Sequence, residues 1–296
     1  MSESSIDIQK AIDYIEEKLI EDLDINDIAA TVYLSPFHFQ RIFHATCGVT
    51  VGEYIRQRRL YLAGRELIST KARIIDLAMK YGYDSPDSFS RAFAKFHGAS
   101  PSAFKNGGMV LRTFAPITIK KTLSEEKTMD YRIEEKAAFT VVGFGKRFAG
   151  ETAYTDIPKF WDEHYENGKG NIIEGVFGVC LDGDCEGFEY LIADMYLPWK
   201  DIPDGCVTKT IDAATWAVFP WSGECPEALQ TVNTWIWSEW LPNSQEYELS
   251  ANCNLEVYLS MEHGEIWLPV KKKYYEKKIH PRRVDFLYFS DSYSLG

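Results

Sequence analysis

Two short alternating stretches late in the chain carry side chains suited to holding a ligand: Leu255-Glu256-Val257-Tyr258-Leu259 and Glu265-Ile266-Trp267-Leu268-Pro269-Val270. The two-residue period of a strand sends the aliphatic residues to one side, and Glu256 with Tyr258, or Glu265 with Trp267, to the other. Each carboxylate then stands two residues from an aromatic ring, and both pairs are expected on the same side of a sheet. Aromatic walls attract a flat, apolar cation through ring faces and apolar contact, and a carboxylate supplies the countercharge. A half-exposed sheet whose polar face carries Glu, Tyr and Trp is the plainer alternative. Tyr154, Trp161 and Trp216 are further candidate walls, or simply core.

A different chemistry is written twice in the first third of the chain, fifty residues apart. Ser35-Pro36, Phe39, Arg41, Phe43, Gly48, Thr50 and Tyr54 recur as Ser85-Pro86, Phe89, Arg91, Phe93, Gly98, Ser100 and Phe104. In each copy Asp27-Ile28-Ala29 or Asp76-Leu77-Ala78 begins a short helix. A turn follows, and Ser-Pro caps and starts a second helix. The Phe pairs four apart stack on a buried face, which turns Gln40 and Arg41, or Ser90 and Arg91, outward. Gly48 and Gly98 end these helices. Between the copies, Thr50 to Leu67 reads as one helix with Arg56, Arg58, Arg59 and Arg65 on its charged side. Its span is roughly 27 Å, of the order of one DNA turn, about 34 Å. Such a strut can set two reading helices in successive major grooves.

The pattern SPFHFQRIF, GEYIRQRRL and IIDLAMKYGYDSPDSFSRAFAKFHGASPSAFK resembles the paired helix-turn-helix domain of the AraC/XylS family of transcription regulators, over about residues 6 to 106. The resemblance implies base-contacting positions at Phe37, Gln40 and Arg41 in the first reading helix and at Asp87, Ser88, Ser90 and Arg91 in the second. Asp87 departs from the pattern: a carboxylate accepts from a cytosine amino group and repels phosphate.

The net charge of -12 argues against a nucleic-acid binder until it is divided along the chain. Residues 31–106 hold eleven Lys and Arg against five Asp and Glu, whereas residues 1–30 hold two against nine. Basic charge is thus concentrated where phosphate would be met. The six cysteines form no CxxC and no metal-like cluster with histidine, so no metal or cofactor is expected; Cys180 with Cys185 is the one near pair for a thiol sensor. No apolar run is long enough to span a membrane and the start is acidic, which points to the cytoplasm.

The organisation expected is a multidomain chain. An all-α double helix-turn-helix DNA-binding domain spans 1–108, with a buttressing helix at Ile6 to Leu23. A linker occupies 109–128, with an extended strand at Leu111 to Leu123 and a hinge at Ser124 to Thr128. From 129 to 296 the texture becomes α+β, a duplicated strand-helix-strand-strand unit with a groove between its halves. The segments KFWDEHY, GVFGVCLDG, TWAVFPWSGECPEALQ, WSEWLPNS, LEVYLS and EIWLPVKK resemble the GyrI-like effector-binding domain, which sits behind AraC-type readers in Rob-like regulators. That resemblance places Glu256 at a pocket floor; Glu265, from the alternation alone, is the second choice. The tail from Tyr274 onward reads first as a solvated charge run followed by a packed extension, with an added strand, a dimer contact or a pocket lid as the alternatives, and no function is assigned to it. The expected protein is a transcription activator that binds double-stranded DNA, works with RNA polymerase and senses a hydrophobic, cationic small molecule. The alternative makes the second domain a hydrolase or a scavenger of toxic compounds, with Glu256 as general base.

Overall fold

A computed structural model of the chain describes residues 6–106, 109–119, 129–150, 152–181, 183–184 and 186–273. Its first part is helical: α1 (Ile8–Glu17), α2 (Ile25–Ala30), α3 (Pro36–Cys47), α4 (Val51–Ser69), α5 (Ile74–Lys80), α6 (Pro86–His97) and α7 (Pro101–Lys105). The duplication is physical as well as textual. The Ser35 and Ser85 hydroxyls accept from the His38 and Ser88 amides at the starts of α3 and α6. Gly48 and Gly98 close the same helices in left-handed conformation, φ 71° and 86°, which glycine adopts without a Cβ penalty. Phe39–Phe43–Tyr54 stack with centroids 5.6 and 5.7 Å apart, and Phe89–Phe93–Phe104 repeat the stack at 5.5 and 5.5 Å. The left-handed turn between the two helices of each copy is made by Gly82 in the second and by the exposed Tyr33 (φ 59°) in the first.

Helix α4 joins the copies but does not present all its arginines to solvent. Arg58 is 4 % exposed and forked onto both Glu16 oxygens at 2.7 Å; Tyr54 donates to the same carboxylate, also at 2.7 Å. Arg59 caps the Leu19 and Glu21 carbonyls. Both side chains therefore tie α4 to α1 and its exit. The segment expected as a strand at Leu111 to Leu123 forms neither strand nor helix over its described part, 111–119. Phe114 lies against Tyr54 and Phe96, bridging the two copies, and the Ile119 amide donates to Gln9. The hinge expected at Ser124 to Thr128 and the tail from Tyr274 lie outside the described residues.

The second part is a single antiparallel sheet with helices on one face. In chain order it holds β1 (Arg132–Lys136), β2 (Phe139–Phe148), α8 (Ala153–Glu166), β3 (Phe177–Leu181), β4 (Phe188–Met195), β5 (Val207–Ile211), β6 (Ala214–Ser222) and α9 (Glu227–Trp235). Helix α9 runs on through a π-turn at Ile236–Trp240, and β7 (Tyr247–Leu249), β8 (Asn254–Tyr258) and β9 (His263–Lys272) complete the sheet. Strand order is β1-β6-β9-β8-β3-β4-β2-β5, with β7 on the end of β9. Exchanging β1 with β5, β2 with β6, β3 with β8 and β4 with β9 reverses that order into itself. The two strand-helix-strand-strand units are thus related by a pseudo-twofold axis between the central strands β3 and β8, and α8 and α9 flank that axis. Helix α8 starts at Ala153 rather than at Pro158, which sits inside it.

The two parts share one apolar core. Ile12, Ile15, Phe39 and Phe43 from the helical part belong to the same buried cluster as Phe219, Ile236, Trp237, Ile266 and Leu268 from the second. The Ile6 amide donates to the Pro242 carbonyl across the junction at 3.2 Å.

Candidate functional site

On the helix-bearing face of the sheet, α8, α9 and α3 enclose a cavity of about 530 Å³ over the central strands. Its floor is Glu256 on β8. The carboxylate accepts hydrogen bonds from the Tyr190 hydroxyl at 2.6 Å and the Tyr258 hydroxyl at 3.0 Å, and Tyr190 in turn accepts from the Trp161 indole at 2.9 Å. Trp161 stands edge-on to Tyr258, centroids 5.0 Å apart. Burial pushes the Glu256 carboxyl above the usual carboxylate range, opposed by the two phenolic donors and the nearby Arg41 charge. Both phenols are pushed far above their ordinary range, chiefly by burial, so they remain donors. Gly178 on β3 faces Glu256 across the central pair. A Cβ there would collide with the Tyr190 hydroxyl and lie 2.7 Å from the Glu256 oxygen, so the network exists because this position has no side chain.

Of the ligand candidates read from sequence, Tyr154, Trp161, Glu256 and Tyr258 line this cavity. Glu265, Trp267 and Trp216 do not. The β8–β9 register pairs Glu256 with Ile266 and Val257 with Glu265; directly paired residues share a face, so the two carboxylates lie on opposite faces of the sheet. Glu265 is bound to Arg132 at 2.7 Å and accepts from the Trp267 indole at 2.7 Å. Trp216 is fully buried 6.1 Å from Trp267, and the Lys136 ammonium lies 4.1 Å over the Trp267 ring. These residues knit the opposite face of the sheet.

The residues expected to read DNA divide in the same way. In α6, Asp87 and Arg91 are exposed, while Ser88 and Ser90 are half-buried. In α3, all three candidates line the cavity. Phe37 is 4 % exposed, edge-on to Phe188 at 5.5 Å. Gln40 lies against Gly150. Arg41 turns outward from its own helical bundle but into the second part of the chain. Its guanidinium donates to Asn254 at 2.6 Å and to Asn233 at 3.3 Å, and lies 4.5 Å over the Trp237 ring. His38 stacks on Trp237 from the same helix, 5.7 Å between centroids, and burial pushes its imidazole down to about 3, so it adds no charge. The expectation of two equally open reading helices is therefore corrected: α6 is open and α3 is covered.

Sequence reasoning missed Tyr190, Gly178, Asn233, Asn254 and Phe188. Only Tyr190 carried a usable signal, a lone polar hydroxyl in the buried run Phe188 to Ala193. Among the cysteines, Cys180 lines the cavity with its thiol pushed by burial to about 12; its partner in the expected pair, Cys185, lies outside the described residues. Among the described residues no cluster of His, Cys, Asp and Glu fits a metal ion, and no helix is long and apolar enough to cross a membrane.

Comparison with known proteins follows the same division. A family model described as a helix-turn-helix domain matches residues 15–107, and one described as integron-associated effector binding protein matches residues 132–270. The HTH-type transcriptional activator AarP of Providencia stuartii is 40% identical over 103 residues, 35% of this chain and 76% of AarP. The regulatory protein SoxS of Salmonella typhimurium is 41% identical over 99 residues, 33% of this chain and 92% of SoxS. Among solved structures, a protein bound to tetraphenylphosphonium is similar at 24% identity, TM-score 0.43, over 48% of this chain and 94% of that one. An integron cassette protein from the mobile metagenome of Vibrio cholerae is similar at 19% identity, TM-score 0.41, over 48% and 95%.

Proposed function

Because the chain belongs to the AraC-type helix-turn-helix family of transcription regulators, we propose that it activates transcription by binding double-stranded DNA through α3 and α6, with RNA polymerase as its partner. Its second domain takes a lipophilic cation into the cavity between α3, α8 and α9. The observation that carries the ligand reading is Glu256: a carboxylate at the floor of an aromatic cavity, held by two phenolic donors. A buried carboxyl whose direct donors are two neutral phenols is costly to ionise, and the Arg41 charge nearby offsets only part of that cost. A flat cation entering above it restores the charged form, while Trp161, Tyr154 and Tyr258 offer ring faces and edges. Phe37, Gln40 and Arg41, with Asp87, Ser88, Ser90 and Arg91, are the proposed base- and backbone-contacting residues.

The test is a fluorescence titration of the full chain with tetraphenylphosphonium and with neutral triphenylphosphine oxide. Glu256→Gln is expected to weaken the cation at least ten-fold and leave the neutral analogue nearly unchanged. Equal losses for both would remove Glu256 as counter-ion. Consumption of an ester or epoxide by the wild type and not by the variant would replace the sensor with a hydrolase.

A further inference from the structure

The cavity is not closed by its own domain. Its third wall is the face of α3 that carries Phe37, Gln40 and Arg41, and these are the side chains a first reading helix needs free in order to reach base edges. Arg41 is seated in what is itself a cation site. Asn254 and Asn233, 1 % and 6 % exposed, turn their amide oxygens to the guanidinium at 2.6 and 3.3 Å. Trp237 lends its ring face at 4.5 Å and donates its indole N–H to the same Asn233 oxygen at 3.0 Å, which fixes that amide's orientation. All three partners come from the second domain.

We propose that Arg41 is an internal occupant of the cation cavity, so that a lipophilic cation and duplex DNA bind cooperatively, each favouring the state in which Arg41 has left its seat. The proposal rests on the cation reading of the cavity and deepens it. With Arg41 seated, α3 is pressed against β8, α8 and α9 and cannot enter a major groove. With Arg41 on DNA, the cavity has lost its built-in positive charge beside Glu256, and an external cation supplies it. Coupling of this kind is reciprocal: the factor by which the cation raises DNA affinity is the factor by which DNA raises cation affinity. It also has a ceiling, because the apparent DNA affinity is the intrinsic one scaled by the fraction of molecules with α3 released.

The seat is tested at Asn254, which touches Arg41 but does not line the cavity. The readout is fluorescence anisotropy of a labelled duplex selected by the full chain from a randomised pool. Asn254→Ala removes the shorter hydrogen bond and is expected to raise DNA affinity on the order of ten-fold without any cation. Asn254→Asp puts a carboxylate on the guanidinium and is expected to lower it. Opposite signs from one position separate release of Arg41 from general loss of folding. Tetraphenylphosphonium is expected to raise DNA affinity of the wild type, and by a smaller factor for Asn254→Ala. Asn254 variants that both weaken DNA binding or both leave it unchanged overturn the proposal, as does a cation that binds and lowers DNA affinity. A cation that does not bind at all overturns the ligand reading instead, and the two Asn254 variants still decide whether Arg41 holds α3.

Discussion

Arg41 and Asn254 stand 213 positions apart in sequence and 2.6 Å apart between guanidinium nitrogen and amide oxygen. That contact places a residue of the first reading helix over β8, next to the strand position that carries Glu256. The surface proposed to meet DNA and the surface proposed to hold the ligand are therefore one surface in this conformation. An apolar core continuous from Phe39 and Phe43 to Trp237 and Ile266 makes the arrangement a packed state rather than a loose approach of two domains.

The pH dependence of cation binding follows from Glu256. Burial raises its carboxyl in the folded chain, against the pull of Tyr190, Tyr258 and Arg41. A proton and a cation compete for the same carboxylate, so affinity for tetraphenylphosphonium is expected to fall as pH falls through that raised value, above the range where an exposed carboxylate would respond. The stability sign is opposite. The folded state holds this proton more tightly than the unfolded state, so the ligand-free chain gains stability from the group as pH falls through the folded value and loses it as pH rises. Titrations and thermal melts across the acidic range check both slopes, and Glu256→Gln is expected to flatten each.

Gly178 gives a steric test of the same network. Alanine there drives a methyl group into the Tyr190 hydroxyl and onto Glu256 at 2.7 Å; neither can retreat without breaking the hydrogen bond between them. Overpacking of this kind costs about 1–3 kcal/mol. Gly178→Ala is expected to lower the urea midpoint and to cut cation affinity more than ten-fold, while DNA binding by the open α6 persists. Unchanged cation affinity would mean that the Tyr190–Glu256 bond is not needed to present the carboxylate.

Much of the architecture was legible because its signals are local. Ser-Pro caps, Phe pairs four apart and closing glycines specify each helix-turn-helix unit from within a dozen residues, and the two aromatic stacks agree to within a few tenths of an ångström. The alternation was also correct within β8 and within β9, except at Leu259, which lies beyond the end of β8, exposed and lining the cavity instead of joining Leu255 and Val257. What failed was the relation between them: whether Glu256 and Glu265 share a face depends on the register through the turn that joins the strands, and the pairing of Glu256 with Ile266 puts them on opposite faces. Arg58 and Arg41 failed for a related reason. Each arginine looked like solvated charge until a distant partner was placed beside it, Glu16 from α1 for one and Asn254 from β8 for the other.

The first of these arginines makes a stability prediction. Arg58 is buried, and Glu16 is both its counter-ion and the acceptor for the Tyr54 hydroxyl. Removing one partner of such a pair leaves a buried charge and a buried phenol without their acceptor. Glu16→Ala is therefore expected to destabilise the chain by about 3 kcal/mol, read as a drop in urea midpoint. Replacing both partners, as in Glu16→Leu with Arg58→Met, is expected to recover part of the loss, because the uncompensated charge is gone. A double variant worse than the single would show that the pair contributes beyond mutual neutralisation.

Arg41 and Arg91 occupy the same position in the two copies and are expected to differ in their response to substitution. Arg91 is exposed on the open helix α6. Arg91→Ala removes a proposed DNA contact from an exposed position, and is expected to weaken specific binding by about 1–3 kcal/mol at fixed salt while leaving the response to tetraphenylphosphonium intact. Arg41→Ala removes a DNA contact and at the same time empties the seat made by Asn254, Asn233 and Trp237. The lost contact weakens binding and the released helix strengthens it, so the net loss is expected to be smaller than for Arg91→Ala, and the cation is expected to have little further effect on DNA affinity. Anisotropy titrations of the two variants with and without tetraphenylphosphonium separate these outcomes. Equal losses with equal cation responses would show that Arg41 plays no part in joining the two sites.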